Sequence, residues 1–179
     1  MLIGVRNVAE MTPAQRKVHD AIASGPRAGV PLPFLAMLDV PDLANAIQSI
    51  GAAIRFSGAL PAPLREVAIL ATAAAFGSGY EWDYHLPIAR DLGVEETTIA
   101  AAASGRSAEA AAPAHQAIVA LCRDAVLNCQ VNQDRLKELV ERVGAPAASE
   151  VVAIAGYYQL LALFLSAGAL DHGITDPAD

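Results

Sequence analysis

The chain has 179 residues, a formal net charge of −7 and a pI near 5.0, enough for one domain with a substantial core and without a basic stripe for nucleic acid or an anionic membrane surface. Alanine is abundant, aromatics are 5% of residues and β-branched runs are short, so helix is favoured over sheet. Only 17% of residues are charged and mean hydropathy is +0.37, sparse polar cover for a monomer, so burial of apolar surface in a homo-oligomer is expected.

In chain order, Met1 to Met11 carries Arg6 and Glu10 without a long apolar stretch and does not read as a signal peptide. Thr12-Pro13 pairs an N-cap with proline at the first helical position and opens a helix to about Ser24. Gly25 to Pro33 (GPRAGVPLP) reads as loop, with a short turn over Phe34 to Leu38. Pro41 starts a helix to about Phe56, and Pro61 and Pro63 start another to about Phe76. Gly77-Ser78-Gly79 breaks that helix, and the next runs from Tyr80 to Leu92, closed by Gly93. A short helix follows from Val94 to Gly105, another from Pro113 to Asn128, one capped by Asn132 to Val143, and a long one from Pro146. No strand, solenoid repeat or low-complexity linker is evident. The expectation is one all-α unit: an N-terminal arm over 1–40, a helical domain over 41–170 and a loose tail over 171–179.

Two features bear on compartment. Val151 to Leu170 contains only Gln159 and Ser166 as overtly polar residues besides tyrosine hydroxyls, and is long enough to span a bilayer. Glu150 and Asp171 flank it and no Lys or Arg anchors either end, so a buried core and interface helix is expected, with no membrane partner. Cys122 and Cys129, seven residues apart, would lie about 10 Å apart on one continuous helix, too far for a bridge. They read as free thiols of a cytoplasmic protein.

The densest chemistry lies in GSGYEWDYH, Gly77 to His85. Glu81 and His85 stand at i and i+4 on one helix face, and Ser78 lies just ahead of that helix's electropositive N-terminus. A carboxylate beside imidazole raises its pKa and orients the ring for proton transfer, although an ordinary surface Glu–His pair fits the same spacing. Glu66 follows the start of a helix that is otherwise almost wholly apolar after Val67. It is either an exposed first-turn charge or an inward carboxyl whose desolvation suits it to acid–base work. Trp82 and Tyr84 are candidate pocket walls or core residues. Arg55, Arg65 and Arg90 are candidates for gripping a substrate carboxylate, or else solvated surface groups. Asp83 points away from Glu81 and His85 on a helix, and His19, His115 and His172 lack partners at ligand spacing, so no metal is expected.

The run LPAPLREVAILATAAAFGSGYEWDYHLPIARDLGV, Leu60 to Val94, resembles the core of the carboxymuconolactone decarboxylase and alkylhydroperoxidase-D superfamily. That resemblance implies an alkylhydroperoxidase-D-like helical bundle assembled as a trimer or hexamer. Glu66 falls at the family's proton-relay glutamate, Ser78 and Glu81 at the two cysteines of its redox motif, and His85 at the motif histidine. A dithiol cycle needs both sulfurs. The resemblance therefore implies cofactor-independent chemistry like that of the decarboxylases, on a small carboxylated or lactone metabolite of the kind met in bacterial aromatic catabolism. In that expectation Glu66, Glu81 and His85 are catalytic, with Glu81 orienting His85 and Glu66 relaying protons, while Ser78, Trp82 and Tyr84 contact substrate. Two rivals stand beside it: a peroxidase using Cys122 or Cys129, and a non-catalytic oligomeric binding protein.

Overall fold

The computed structural model describes residues 2–5, 7–27, 29–105 and 111–174. Among the described residues there is no strand; helices are joined by short turns. After a single 3-10 turn, Val8–Glu10, come α1 (Pro13–Ala23), α2 (Leu32–Met37), α3 (Pro41–Phe56), α4 (Ala62–Phe76), α5 (Gly79–Asp91), α6 (Glu96–Ser104), α7 (Pro113–Asn128), α8 (Gln133–Val143) and α9 (Ala145–Ala167).

The punctuation acts as its chemistry requires. Thr12 and Gln15 form a reciprocal capping box at the start of α1. Proline occupies the first turn of α3, α4, α7 and α9, where its missing N–H is an orphan donor anyway. One expectation needs correction: GPRAGVPLP is not loop to its end, because α2 already begins at Leu32. The prolines at 31 and 33 sit where a helix start tolerates them, and Phe34, Ala36 and Met37 are then buried. α7 ends before Cys129, which takes the left-handed C-cap position with φ +52°. The two cysteines therefore do not share a continuous helix; Cys122 is buried and Cys129 exposed.

α4 is the central element. Every residue from Glu66 to Ala73 is buried, and α5, α6, α7 and α9 pack around it. One continuous core links Ile69 and Leu70 of α4 with Ile118 and Leu121 of α7 and Ile154 and Leu161 of α9. α9 is long and apolar enough to cross a membrane, but half of its most apolar window is buried inside the protein, as befits a core helix.

α4 and α5 form a helical hairpin. Gly77 closes α4 at φ +85°, its N–H donating to Ala73 O, a conformation that glycine adopts without penalty. Ser78 then turns the chain into α5. Its hydroxyl donates to Asp171 Oδ2 at 2.7 Å, and Asp171 Oδ1 accepts the Tyr80 N–H at 2.9 Å. A carboxylate from beyond α9 thus caps α5, where the helix dipole favours negative charge.

Candidate active site

The hairpin carries Glu66 of α4 and His85 of α5 to one another in the interior, where they are 1% and 2% exposed. His85 Nδ1 donates to Glu66 Oε2 at 2.6 Å. The other ring nitrogen, Nε2, accepts from the Tyr158 hydroxyl of α9 at 3.2 Å, and Glu81 Oε2 lies 3.8 Å from it. Tyr158 also meets the imidazole edge-on at 5.2 Å between ring centroids.

The charges follow from these contacts. Burial disfavours charge on both members of the Glu66–His85 pair. His85 is accordingly held below its ordinary pKa and is neutral, despite Glu66 beside it. Burial opposes the Glu66 anion too, but the His85 hydrogen bond and the positive fields of Arg65 and Arg55 outweigh it and keep the carboxyl below the usual range. Glu66 is thus an anion accepting the Nδ1–H of a neutral imidazole, leaving Nε2 as the basic lone pair. Glu81 is the opposite case. Burial first, then repulsion from Asp171, lifts its carboxyl to about 8 against the pull of Arg55, so it holds its proton at neutral pH.

Three of the expected residues converge: Glu66 rather than Glu81 hydrogen-bonds the His85 ring, at Nδ1, and Glu81 lies nearer Nε2. Tyr84 lines the adjoining cavity. Ser78 and Trp82 do not line it, which corrects their expected substrate contact: the Ser78 hydroxyl is fully buried on Asp171, and Trp82, 2% exposed, packs in the core. Of the three arginines, Arg65 turns to Glu66 at 3.4 Å and Arg90 forms an exposed pair with Glu96. Only Arg55 reaches the cavity. Asp83 pairs with His172 on the surface. Among the described residues no three His, Cys, Asp or Glu side chains gather in a metal-binding group.

Reasoning from sequence missed Tyr158, Tyr157 and Arg27, which line the same cavity. Their only local signal is polar side chains in apolar or loop context, Tyr157-Tyr158 breaking an apolar run of α9. The arm closes one side of the site: Leu32 N–H donates to the Tyr80 hydroxyl at 3.2 Å, and Phe34 of α2 forms part of the wall. The cavity is open to solvent on one side and its volume is about 20 Å³, room for about one water. A larger cleft of about 460 Å³ lies between α6, α7 and α8. There Arg135 pairs with Asp124, Glu138 with Arg142, Arg123 donates to the Ala102 and Ala103 carbonyls and His115 faces Thr98, so the smaller cavity at His85 is the one lined by buried acid and base groups.

Residues 41–124 match the profile of the Carboxymuconolactone decarboxylase family. No curated protein matches the chain. Among solved structures, the debrominase Bmp8 is similar both in its apo form and as a variant in complex with 2,3,4-tribromopyrrole. Each has 20% identity and a TM-score of 0.74, with 98% of this chain covered and 93% and 92% of theirs. An alkylhydroperoxidase AhpD core protein from Ralstonia eutropha JMP134, described as an uncharacterized peroxidase-related protein, has 21% identity and a TM-score of 0.71, over 91% of this chain and 87% of its own. At these identities the likeness is one of fold.

Proposed function

From the family profile matched over residues 41–124, the AhpD-like fold and the absence of a Cys-x-x-Cys pair, we infer that this chain is a cofactor-independent lyase of the carboxymuconolactone decarboxylase family that decarboxylates a small carboxylated or lactone metabolite by proton transfer. The observation that carries the reading is the buried line Glu66–His85–Tyr158 with a protonated Glu81 beside the unprotonated imidazole nitrogen.

Each residue has a place in such a reaction. The carbon–carboxylate bond breaks, CO2 leaves, and its electron pair passes into a neighbouring carbonyl. Glu81 then delivers its proton to carbon. His85 Nε2, kept basic by the Glu66 anion on the opposite nitrogen, takes the proton of the substrate carboxyl group before the bond breaks and hands it to the Glu81 carboxylate afterwards, restoring both groups, and Tyr158, which donates to that nitrogen at rest, turns to the substrate oxygen. Acid and base are set apart by environment within one cavity.

The peroxidase alternative is less well supported. Burial pushes the Cys122 thiol up to about 12, leaving almost no thiolate near neutral pH, and Cys129 lies beyond the end of α7. The proposal includes a homo-oligomer, supported by exposed Leu43 and Ile50 on α3 and Leu163 on α9.

The test is CO2 release from a panel of β-keto acids and carboxylated lactones. The reading expects turnover of at least one, reduced on the order of a thousandfold in His85→Gln with helical content unchanged. Equal turnover in His85→Gln, or peroxide consumption lost on removing both cysteines, would overturn it.

A further inference from the structure

Two arginines face the cavity from different parts of the chain, Arg27 from the arm and Arg55 from α3. Both guanidiniums lie over the Phe56 ring, at 6.0 and 5.4 Å from its centroid, and Arg27 also over Phe34 at 5.2 Å while Arg55 lies over Tyr84 at 5.6 Å. Arg27 donates to the Gln48 side chain and carbonyl at 3.2 and 2.9 Å. Those two bonds leave most of its five donors unused. Neither arginine makes an ion pair with a carboxylate among the described residues. Two partly buried cations so arranged repel one another, a cost that an anion between them removes.

A second observation points into the same space. Among the described residues, the buried side-chain polar atoms without a hydrogen-bond partner are Glu81 Oε1 and the Tyr157 hydroxyl, on residues 3% and 6% exposed. Both line this cavity. Unpaired buried polar atoms cost free energy and are rare in folded proteins. Gly51, in mid-α3, has the Tyr157 hydroxyl 2.1 Å and an Arg27 nitrogen 2.9 Å from where its Cβ would stand. A glycine there costs helix stability, and its absent side chain lets the hydroxyl and the guanidinium meet at one point of the cavity wall.

We propose that Arg27 and Arg55 form a carboxylate-anchoring site, and that Glu81 and Tyr157 receive a second oxygen, carbonyl or hydroxyl, of the same small acid. This deepens the lyase reading and rests on it for the substrate's fate. A carboxylate gripped by two guanidiniums is stabilised against loss as CO2, so the anchored group is the one that remains, and the reaction takes place elsewhere on the molecule, toward His85. The cavity opens to solvent, so a small acid reaches the arginines from that side.

Isothermal titration with levulinate, which carries a carboxylate and a ketone, tests the anchor apart from the chemistry, with its uncharged methyl ester as control. Wild type should bind levulinate and bind the ester at least about tenfold more weakly. Arg55→Gln and Arg27→Gln should each weaken levulinate about tenfold or more, while Arg90→Gln, whose guanidinium pairs with Glu96 on the surface away from the cavity, stays within about threefold. Arg27 lies outside the helices, so Arg27→Gln decides the matter if Arg55→Gln fails to fold by circular dichroism. No levulinate binding, equal affinity for acid and ester, or unchanged affinity in Arg27→Gln would overturn the anchor. Normal binding with no turnover on the decarboxylation panel would leave the anchor standing and remove the lyase reading.

Discussion

His85 meets three side chains through two nitrogens, and the division of labour between them decides what each substitution does. Glu66→Gln can present an amide N–H to Nδ1 and so favour the wrong tautomer. Turnover should fall on the order of a thousandfold, with a stability loss of about 1–3 kcal/mol for the imperfectly paired group, read from urea denaturation. Glu81 makes a different prediction. Its carboxyl is raised from the usual 4.5 to about 8 by burial and by Asp171, so between those values the unfolded chain has lost a proton that the folded protein keeps. Stability contributed by this group is full below pH 4.5, declines as pH rises through that window, and is gone above about 8. Glu81→Gln removes the penalty. It should stabilise the protein by roughly 1–3 kcal/mol at pH 9 and change little at pH 4.5, checked by melting temperature across that range. Catalysis that needs the proton on Glu81 should fall as pH rises through about 8, and Asp171→Asn, which removes the repelling charge, should move that fall to lower pH.

At the level of elements, the cap on α5 is the test of how the site is held. Asp171 accepts from the Ser78 hydroxyl and from the N–H groups of Tyr80 and His172. Asp171→Ala should cost about 1–2 kcal/mol, measured by denaturant midpoint, whereas Ser78→Ala keeps the backbone part of the cap and should cost less. Element boundaries were legible in sequence because Thr12, the first-turn prolines, Gly77 and Asn132 act locally, on one or two backbone groups each. α2 was not, since six residues with a proline among them carry no period and owe their helix to the burial of Phe34 and Met37. The same limit applies to the site. Spacing put Glu81 and His85 on one face, and the resemblance added Glu66. Which carboxylate meets Nδ1, however, depends on the rotation of α4 against α5 about Gly77, a matter of packing. Tyr158 and Arg27 come from segments with no sequence link to the motif at all.

For the whole molecule, the abundance of apolar residues has two destinations. Most fill the core around α4, but Leu43, Ile50 and Leu163 remain about half exposed. If these faces meet in a homo-oligomer, Ile50→Glu and Leu163→Glu should each shift the mass seen by light scattering toward the monomer, while a single chain on its own should tolerate both within about 0.5 kcal/mol. Wild type running as a monomer at micromolar concentration would remove that part of the proposal.

The cap from Asp171 also sets an order of events during synthesis. Glu66 and His85 are made within 19 residues of each other, so their hairpin is available early on the ribosome. Tyr158 follows His85 by 73 residues and Asp171 follows Ser78 by 93. At roughly 5–20 residues per second, the imidazole waits about 4–15 s for its hydroxyl partner, and the N-terminus of α5 waits about 5–19 s for its carboxylate. Through that interval a nascent chain holds a buried-type glutamate, a histidine and an apolar α4 without the helix that covers them, and it is then that a chaperone has most to shield.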